Sequence, residues 1–333
     1  LREQFPEQAD KIVFGGAARI ETWKPTCRLG PPQLSRAAAR PYVLVSSNLR
    51  INSYYPVWDI LGGLRSRFPK PEDWHAVLHE TAQAYSRSAL LLAQYCDMLD
   101  QLGQRFPEID FVVRPHPIED IRGWRAVVPH RHNIIVSREG SLTNWIHGAS
   151  AVIHNGCTSA LEATVAGKPV ITFSPLVSPD QSYENEANRL GIMTHSPSDV
   201  LKALSSSLRK TGNSGAQEIP EIPEWLQAKL NLFSDRKNHQ IVVDSWEGIG
   251  DPVPSVRIAR IKLALVFWGW LNHLRRNLAS LLRPGKPLLN KFEIMKLADV
   301  REAASALSER AGYGEIYRVE KLSPRTWFIS PIP

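Results

Sequence analysis

"AVIHNGCTSALEATVAGKPVITF", from Ala151 to Phe173, sets two short apolar runs on either side of a small, polar, helix-like segment. Apolar runs of four or five residues bounded by turn signals suit buried parallel strands. Two such runs, "SAVIH" from Ser150 and "PVITF" from Pro169, flank a helix candidate at Thr158 to Ala166. Gly167 stands at its C′ position and Lys168-Pro169 follows, a stop signal that returns the chain to the next strand.

Outward from this unit the pattern repeats. "YVLVS" from Tyr42, "DFVVR" from Asp110 and "NIIV" from Asn133 read as further strands, and Tyr85 to Leu102 and Leu142 to His147 as helices. Strands alternating with helices predict an α/β fold, a doubly wound Rossmann-like domain on a parallel sheet. In such a sheet ligands collect in the crevice beyond the carboxyl ends of the strands.

Two polar clusters fall at that edge. "RPHP" follows the strand ending at Val113, so Arg114 and His116 project into the crevice while Pro115 and Pro117 stiffen the loop and remove backbone donors. "NGCTSALEA" follows the strand ending at His154. There Asn155 and Gly156 form a tight turn, and Thr158 and Ser159 open a helix whose free amides and hydroxyls suit a phosphate. Glu162, one turn further in, is placed to accept from ribose hydroxyls. A structural alternative stays open for each: Thr158 or Ser159 as an N-cap completed by Glu162 as a capping box, and His116 as a loop histidine bonded to backbone.

Composition sets the class. With 333 residues and 43% hydrophobic content the chain builds real cores. A net charge of +7 favours an anionic partner, such as a nucleotide, an acidic glycan or an anionic membrane surface; no nucleic-acid partner is expected. Cys27, Cys96 and Cys157 lie far apart and match no zinc spacing, against a disulfide framework. His75 and His79 have ligand spacing on a helix but lack the glutamate beside the first histidine that zinc proteases use, so no metal is expected. The longest apolar stretch, Ile261 to Leu274, falls short of the roughly 20 residues a bilayer span needs. The opening "LREQFPEQADKIVFGG" carries no leader and no initiator methionine, so a start further upstream is expected.

Together, "KIVFGGAARIETW", "YVLVSSNLRINSYYP", "FVVRPHP", "NWIHGASAVIHNGCTSALEATVAGKPVITFSP" and "YENEANRLG" resemble the bacterial surface carbohydrate biosynthesis proteins. Within that group the likeness is to GT-B glycosyltransferases of the retaining β-Kdo type, which use CMP-Kdo. The resemblance implies a GT-B-like Rossmann domain that holds the donor nucleotide, with an N-terminal domain of which residues 1–26 are a remnant. The nucleotide-binding domain would be residues 27–210, with a linker and helices at 211–254. A basic amphipathic helix would occupy 255–286, and a helix and strand 287–333.

The resemblance further implies a role for Glu21, which stands where the family commonly carries aspartate: a nucleophile forming a glycosyl-enzyme adduct. The loop after the Tyr42 strand would offer Ser47 and Asn48 to phosphate or sugar, and Glu184 and Asn185 would hold donor hydroxyls. The implied donor is a CMP-activated ulosonic acid, the alternatives being CDP-glycerol or a UDP-sugar. The acceptor would be a glycan or a lipid-linked glycan, with no cofactor. A nucleotide-binding subunit without turnover is the competing class.

The stretch from Ser255 to Lys286 holds seven Lys or Arg residues and no acid, with Leu, Val, Phe and Trp between them. Such a segment is expected to lie in the interface of an anionic membrane, apolar face down, the alternative being a GT-B crossing helix packed on the cores; the membrane reading implies a cytoplasmic protein peripheral on the inner membrane.

Overall fold

Each apolar run named above is a strand in the computed structural model: β1 Tyr42–Ser46, β2 Asp110–Arg114, β3 Ile134–Val136, β4 Ala151–His154 and β5 Val170–Phe173. The structure describes residues 6–7, 12–26, 40–49, 51, 53, 57–68, 70–176, 185–213, 221–247, 255–282, 300–301, 317–323 and 326–331. A sixth strand, β6 Ile192–Thr194, has no signal beyond three residues, two of them exposed at the sheet edge. All five pairings are parallel, and the order is β3-β2-β1-β4-β5-β6. The chain winds outward from β1 in one direction to β3, then returns to pair β4 on the other flank of β1. The doubly wound α/β expectation therefore holds, and the topological switch point lies between β1 and β4.

Successive strand residues face opposite sides, and the two cores divide accordingly. Tyr42, Leu44, Val112, Val152 and Val170 join one core, covered by α1 (Ile20–Trp23), α5 (Leu142–Gly148), α6 (Ser159–Val165) and α8 (Glu224–Leu230). Val43, Val45, Phe111, Val113, Ile153 and Ile171 join the other, under α3 (Pro71–Arg105), α4 (Ile121–Val127) and α7 (Pro197–Asn213). Residues 12–26 belong to the first layer, since Ile20 and Trp23 are buried in its core. The stretch read as linker and helices from residue 211 begins within the last turn of α7, which runs to Asn213.

Helix α3 begins well before the expected Tyr85, because Pro71 at its first turn and Glu72 and Asp73 after it form a sound N-terminus. At 35 residues it is about 50 Å long, against about 17 Å for a five-residue strand. Its buried core residues are Tyr95, Met98, Leu99 and Leu102. Tyr95 donates to Ser46 O, Ser88 accepts from Ile51 N–H, and Arg87 donates to Leu176 O, so residues near 87–95 mark the carboxyl edge of the sheet. The N-terminal half, with α2 (Val57–Arg67) against it, rises past that edge beside the crevice.

Residues 1–249 form one compact unit, which α9 (Asn238–Glu247) completes, and 250–333 a second. In the second, α10 (Ser255–Leu282) packs on an antiparallel hairpin of β7 (Tyr317–Ser323) and β8 (Thr326–Pro331). The expected strand near Tyr317 is present. The helix expected just before it falls mostly outside the described residues.

Candidate functional site

The loops at the carboxyl ends of β1, β2 and β4 meet at the switch point, and their polar groups divide into two sets. The first set is organised by Glu119, fully buried between the β1 and β2 loops. Its carboxylate accepts from Ser47 Oγ at 2.5 Å, Trp124 Nε1 at 2.7 Å and His116 N–H at 3.3 Å, and also from Leu49 N–H. Burial pushes this carboxyl up from the usual range, and the four donors pull against that.

His116 is thereby fixed in place. Besides its main-chain bond to Glu119, its carbonyl accepts from Arg138 at 2.6 Å and its Nδ1 accepts from Ile118 N–H at 3.3 Å. A neutral ring accepting at Nδ1 carries its proton on Nε2. Arg114 donates to the Glu139 and Gly140 carbonyls at 2.8 and 2.6 Å, tying the β2 loop to the turn after β3. Ser47 gives its hydroxyl to Glu119, while Asn48 is exposed at the rim.

The second set surrounds Gly156, whose φ of +87° favours glycine. A Cβ there would meet Asn188 Oδ1 at 3.3 Å and Asn185 Cβ at 3.5 Å. Asn185 donates to Gly156 O at 2.7 Å and accepts from Ala187 N–H at 3.0 Å, capping the 3-10 turn Glu186–Arg189 that carries Asn188. Beneath the loop His154 is fully buried. Its Nδ1 accepts from Gly156 N–H at 3.1 Å, so Nε2–H donates to Thr172 Oγ1 at 2.9 Å, which donates to Leu190 O at 2.7 Å. Desolvation lowers the His154 pKa to about 4 and keeps the ring neutral.

Around this braced loop, buried oxygens have no hydrogen-bond partner: Asn155 Oδ1, Ser159 Oγ and Asn188 Oδ1, with Ser46 Oγ at the switch point. Buried polar groups are normally paired, and these four oxygens depart from that rule. Thr158 is exposed and makes no cap bond, and Glu162 turns away from the helix start, so the capping box does not form. Instead the buried Glu162 accepts from Thr143 Oγ1 at 3.1 Å and lies 3.7 Å from the Arg19 guanidinium. Burial raises its pKa, and Thr143 and then Arg19 oppose the rise.

Glu21 lies on α1, which packs on α5 and α6, and its carboxylate accepts from Lys24 at 2.9 Å. His147 donates to Thr22 O at 2.8 Å and holds that segment down. Glu184 lies outside the described residues. Among the described residues no group of His, Cys, Asp or Glu could hold a metal ion, His75 and His79 are exposed, and Cys96 and Cys157 are free thiols.

The sequence reading missed Glu119, Asn188 and the His154–Thr172 pair. Glu119 stood two residues past the quoted loop, and nothing local marks a carboxylate as the acceptor for two loops. Asn188 has a faint signal, as the second asparagine of "NEANRLG".

No protein-family model matches the chain, and no curated protein matches it. Several solved structures are similar at low identity. Methanocaldococcus jannaschii UDP-GlcNAc 2-epimerase, in complex with UDP-GlcNAc and UDP, is 13% identical over 74% of this chain and 57% of its own, with a TM-score of 0.41. The glycosyltransferase SnogD from Streptomyces nogalater is 15% identical over 65% of this chain and 46% of its own, at 0.32. KpsC of Thermosulfurimonas dismutans, a beta Kdo 2,4 transferase, is 16% identical over 47% and 41%, at 0.29. The chain thus spans 57% of the epimerase's length and less than half of the other two.

Proposed function

We propose that the crevice binds a nucleotide-activated sugar and that the protein takes part in glycosyl transfer for bacterial surface polysaccharide, capsule or lipopolysaccharide. The observation that carries this reading is the cluster of buried, unpartnered oxygens on Asn155, Ser159 and Asn188 around Gly156, at the carboxyl end of β4. Hydroxyl and amide groups at a switch point suit a phosphate ester with its sugar hydroxyls. His116 would donate through Nε2–H, with Arg114 supplying positive potential. Thr158 at the rim would add a hydroxyl, Glu162 would serve the ribose, and Asn48, Glu184 and Asn185 the donor sugar.

In the GT-B reading, Glu21 attacks the anomeric carbon as the bond to the donor phosphate breaks and the nucleotide leaves with its electron pair. An acceptor hydroxyl then displaces the carboxylate and yields its proton to a base, with net retention. Donors already in place stabilise the leaving phosphate, and no metal or cofactor is invoked. The acceptor is a glycan or lipid-linked glycan at the cytoplasmic face of the inner membrane. A second reading, a nucleotide-binding scaffold without turnover, draws on the pairing of Glu21 with Lys24.

The donor is proposed to be CMP-linked, because the motif likeness is to transferases of that type. The test is thermal unfolding with added nucleotide, since a ligand that binds only the folded state raises the midpoint. CMP is expected to raise it more than UMP or UDP. An equal or larger rise with UDP moves the donor to the UDP-sugars, and no rise with any nucleotide ends the nucleotide-sugar reading.

A further inference from the structure

Helix α10 presents two unlike faces. Lys262, Val266, Gly269, Leu271 and His273 are half-covered, all but Leu271 on one stripe at spacings of four, three and four residues, and Lys262 donates to Glu320 of the hairpin at 2.7 Å. Elsewhere on the helix Ile261, Leu263, Leu265, Phe267, Trp268, Trp270 and Leu274 are exposed, most of them by more than half of their surface. Scattered single apolar residues are ordinary on a surface, but a contiguous patch with three aromatic rings marks an interaction site.

Charge selects the occupant. Arg260 and Arg275 are exposed near the two ends of this arc, about 22 Å apart along the helix. From Ser255 to Lys286 the chain has seven basic residues and no acid. Among the described residues no helix is long and apolar enough to cross a membrane. The stretch from Ile261 to Leu274 is about 21 Å long, against a hydrocarbon core of about 30 Å. Tryptophan favours the headgroup level, and arginine stems let their charges reach lipid phosphates from an apolar face.

We propose that α10 seats this arc in the surface of an anionic lipid bilayer. The apolar side chains from Ile261 to Leu274 enter the acyl boundary, Arg260 and Arg275 contact phosphates, and the helix lies in the plane of the membrane. This deepens the membrane part of the proposed function, yet its test reads lipid binding alone.

The full chain is floated with vesicles rich in phosphatidylglycerol and with vesicles of phosphatidylcholine, at low and high salt. It is expected to float with the first and not the second. The triple variant Phe267→Ser, Trp268→Ser, Trp270→Ser is expected to lose roughly tenfold or more in partitioning. The double variant Arg260→Gln, Arg275→Gln is expected to lose roughly fivefold per arginine, the equivalent of about 1 kcal/mol each, with a flatter salt dependence. Nucleotide-induced stabilisation should be the same in every variant, so a failed nucleotide site and a failed lipid surface are told apart. No flotation at low salt, or unchanged flotation of the aromatic variant, overturns the proposal. A dimer that the aromatic variant abolishes, without vesicle binding, assigns the arc to a second copy of the chain instead.

Discussion

The two flanks of the crevice use polar residues in opposite ways. On the β1–β2 side Glu119 collects four donors, and the loops of Ser47 and His116 are held as one piece. On the β4 side the loop is braced from below by His154 and from beside by Asn185, while Asn155, Ser159 and Asn188 keep buried oxygens unpaired. A saturated network rigidifies, and an unsaturated one holds binding capacity in reserve at a cost in stability. Polarity is alike along this sheet edge, and what differs is hydrogen-bond saturation: the donors around Glu119 are all paired, whereas the oxygens around Gly156, with Ser46 Oγ at the end of β1, are not.

The largest effect should come from removing the organiser of the saturated side. Glu119→Ala leaves the donors of Ser47, Leu49, His116 and Trp124 without their acceptor, and should cost on the order of 4 kcal/mol. The urea midpoint would report it, with an unchanged slope showing that the loss is in stability. A loss below about 1 kcal/mol would mean that water replaces the carboxylate, and the contrast between the flanks would collapse.

A slightly smaller effect belongs to the brace under the unsaturated side. The unfolded chain takes up a proton at His154 near pH 6.5, which the folded state refuses until about pH 4. Stability is therefore lost as pH falls through that window, by about 3 kcal/mol in all. His154→Gln should show a shallower acid limb in unfolding free energy against pH. An unaltered limb would assign acid sensitivity to other groups.

The smallest effect is expected at Ser159, on the unpaired side. Ser159→Ala removes a buried hydroxyl that has no partner, so stability should stay level or rise by up to about 1 kcal/mol. Nucleotide affinity should fall by about 1 kcal/mol in the same variant. A stability loss with unchanged affinity would place Ser159 among the scaffold residues.

Much of the fold was legible because buried parallel strands are short, apolar and β-branched, and five of the six announce themselves that way. The sixth, Ile192–Thr194, is too short and too exposed to leave a pattern. The loops at the carboxyl edge were legible for the same reason, since strand ends fix where loops begin. What each loop residue does was less so. Arg114 and Glu162 are read from the sequence as ligand contacts, and the fold adds partners within the protein, the Glu139 and Gly140 carbonyls for the one and Thr143 and Arg19 for the other. Those partners are distant along the chain or on other elements, and no local pattern encodes them.

Strands that read as unbroken apolar runs, the glycine-punctuated crossover from Ala151 to Phe173 and the basic, acid-free helix were written in the sequence, because each depends on neighbouring residues alone. Tertiary structure alone decided that Glu119 would join two loops, that His154 would be buried neutral beneath Gly156, and that Asn188 would sit against that glycine. Hydrogen-bond saturation is a property of groups brought together from separate strands, and it exists only once the sheet has ordered β4 beside β1.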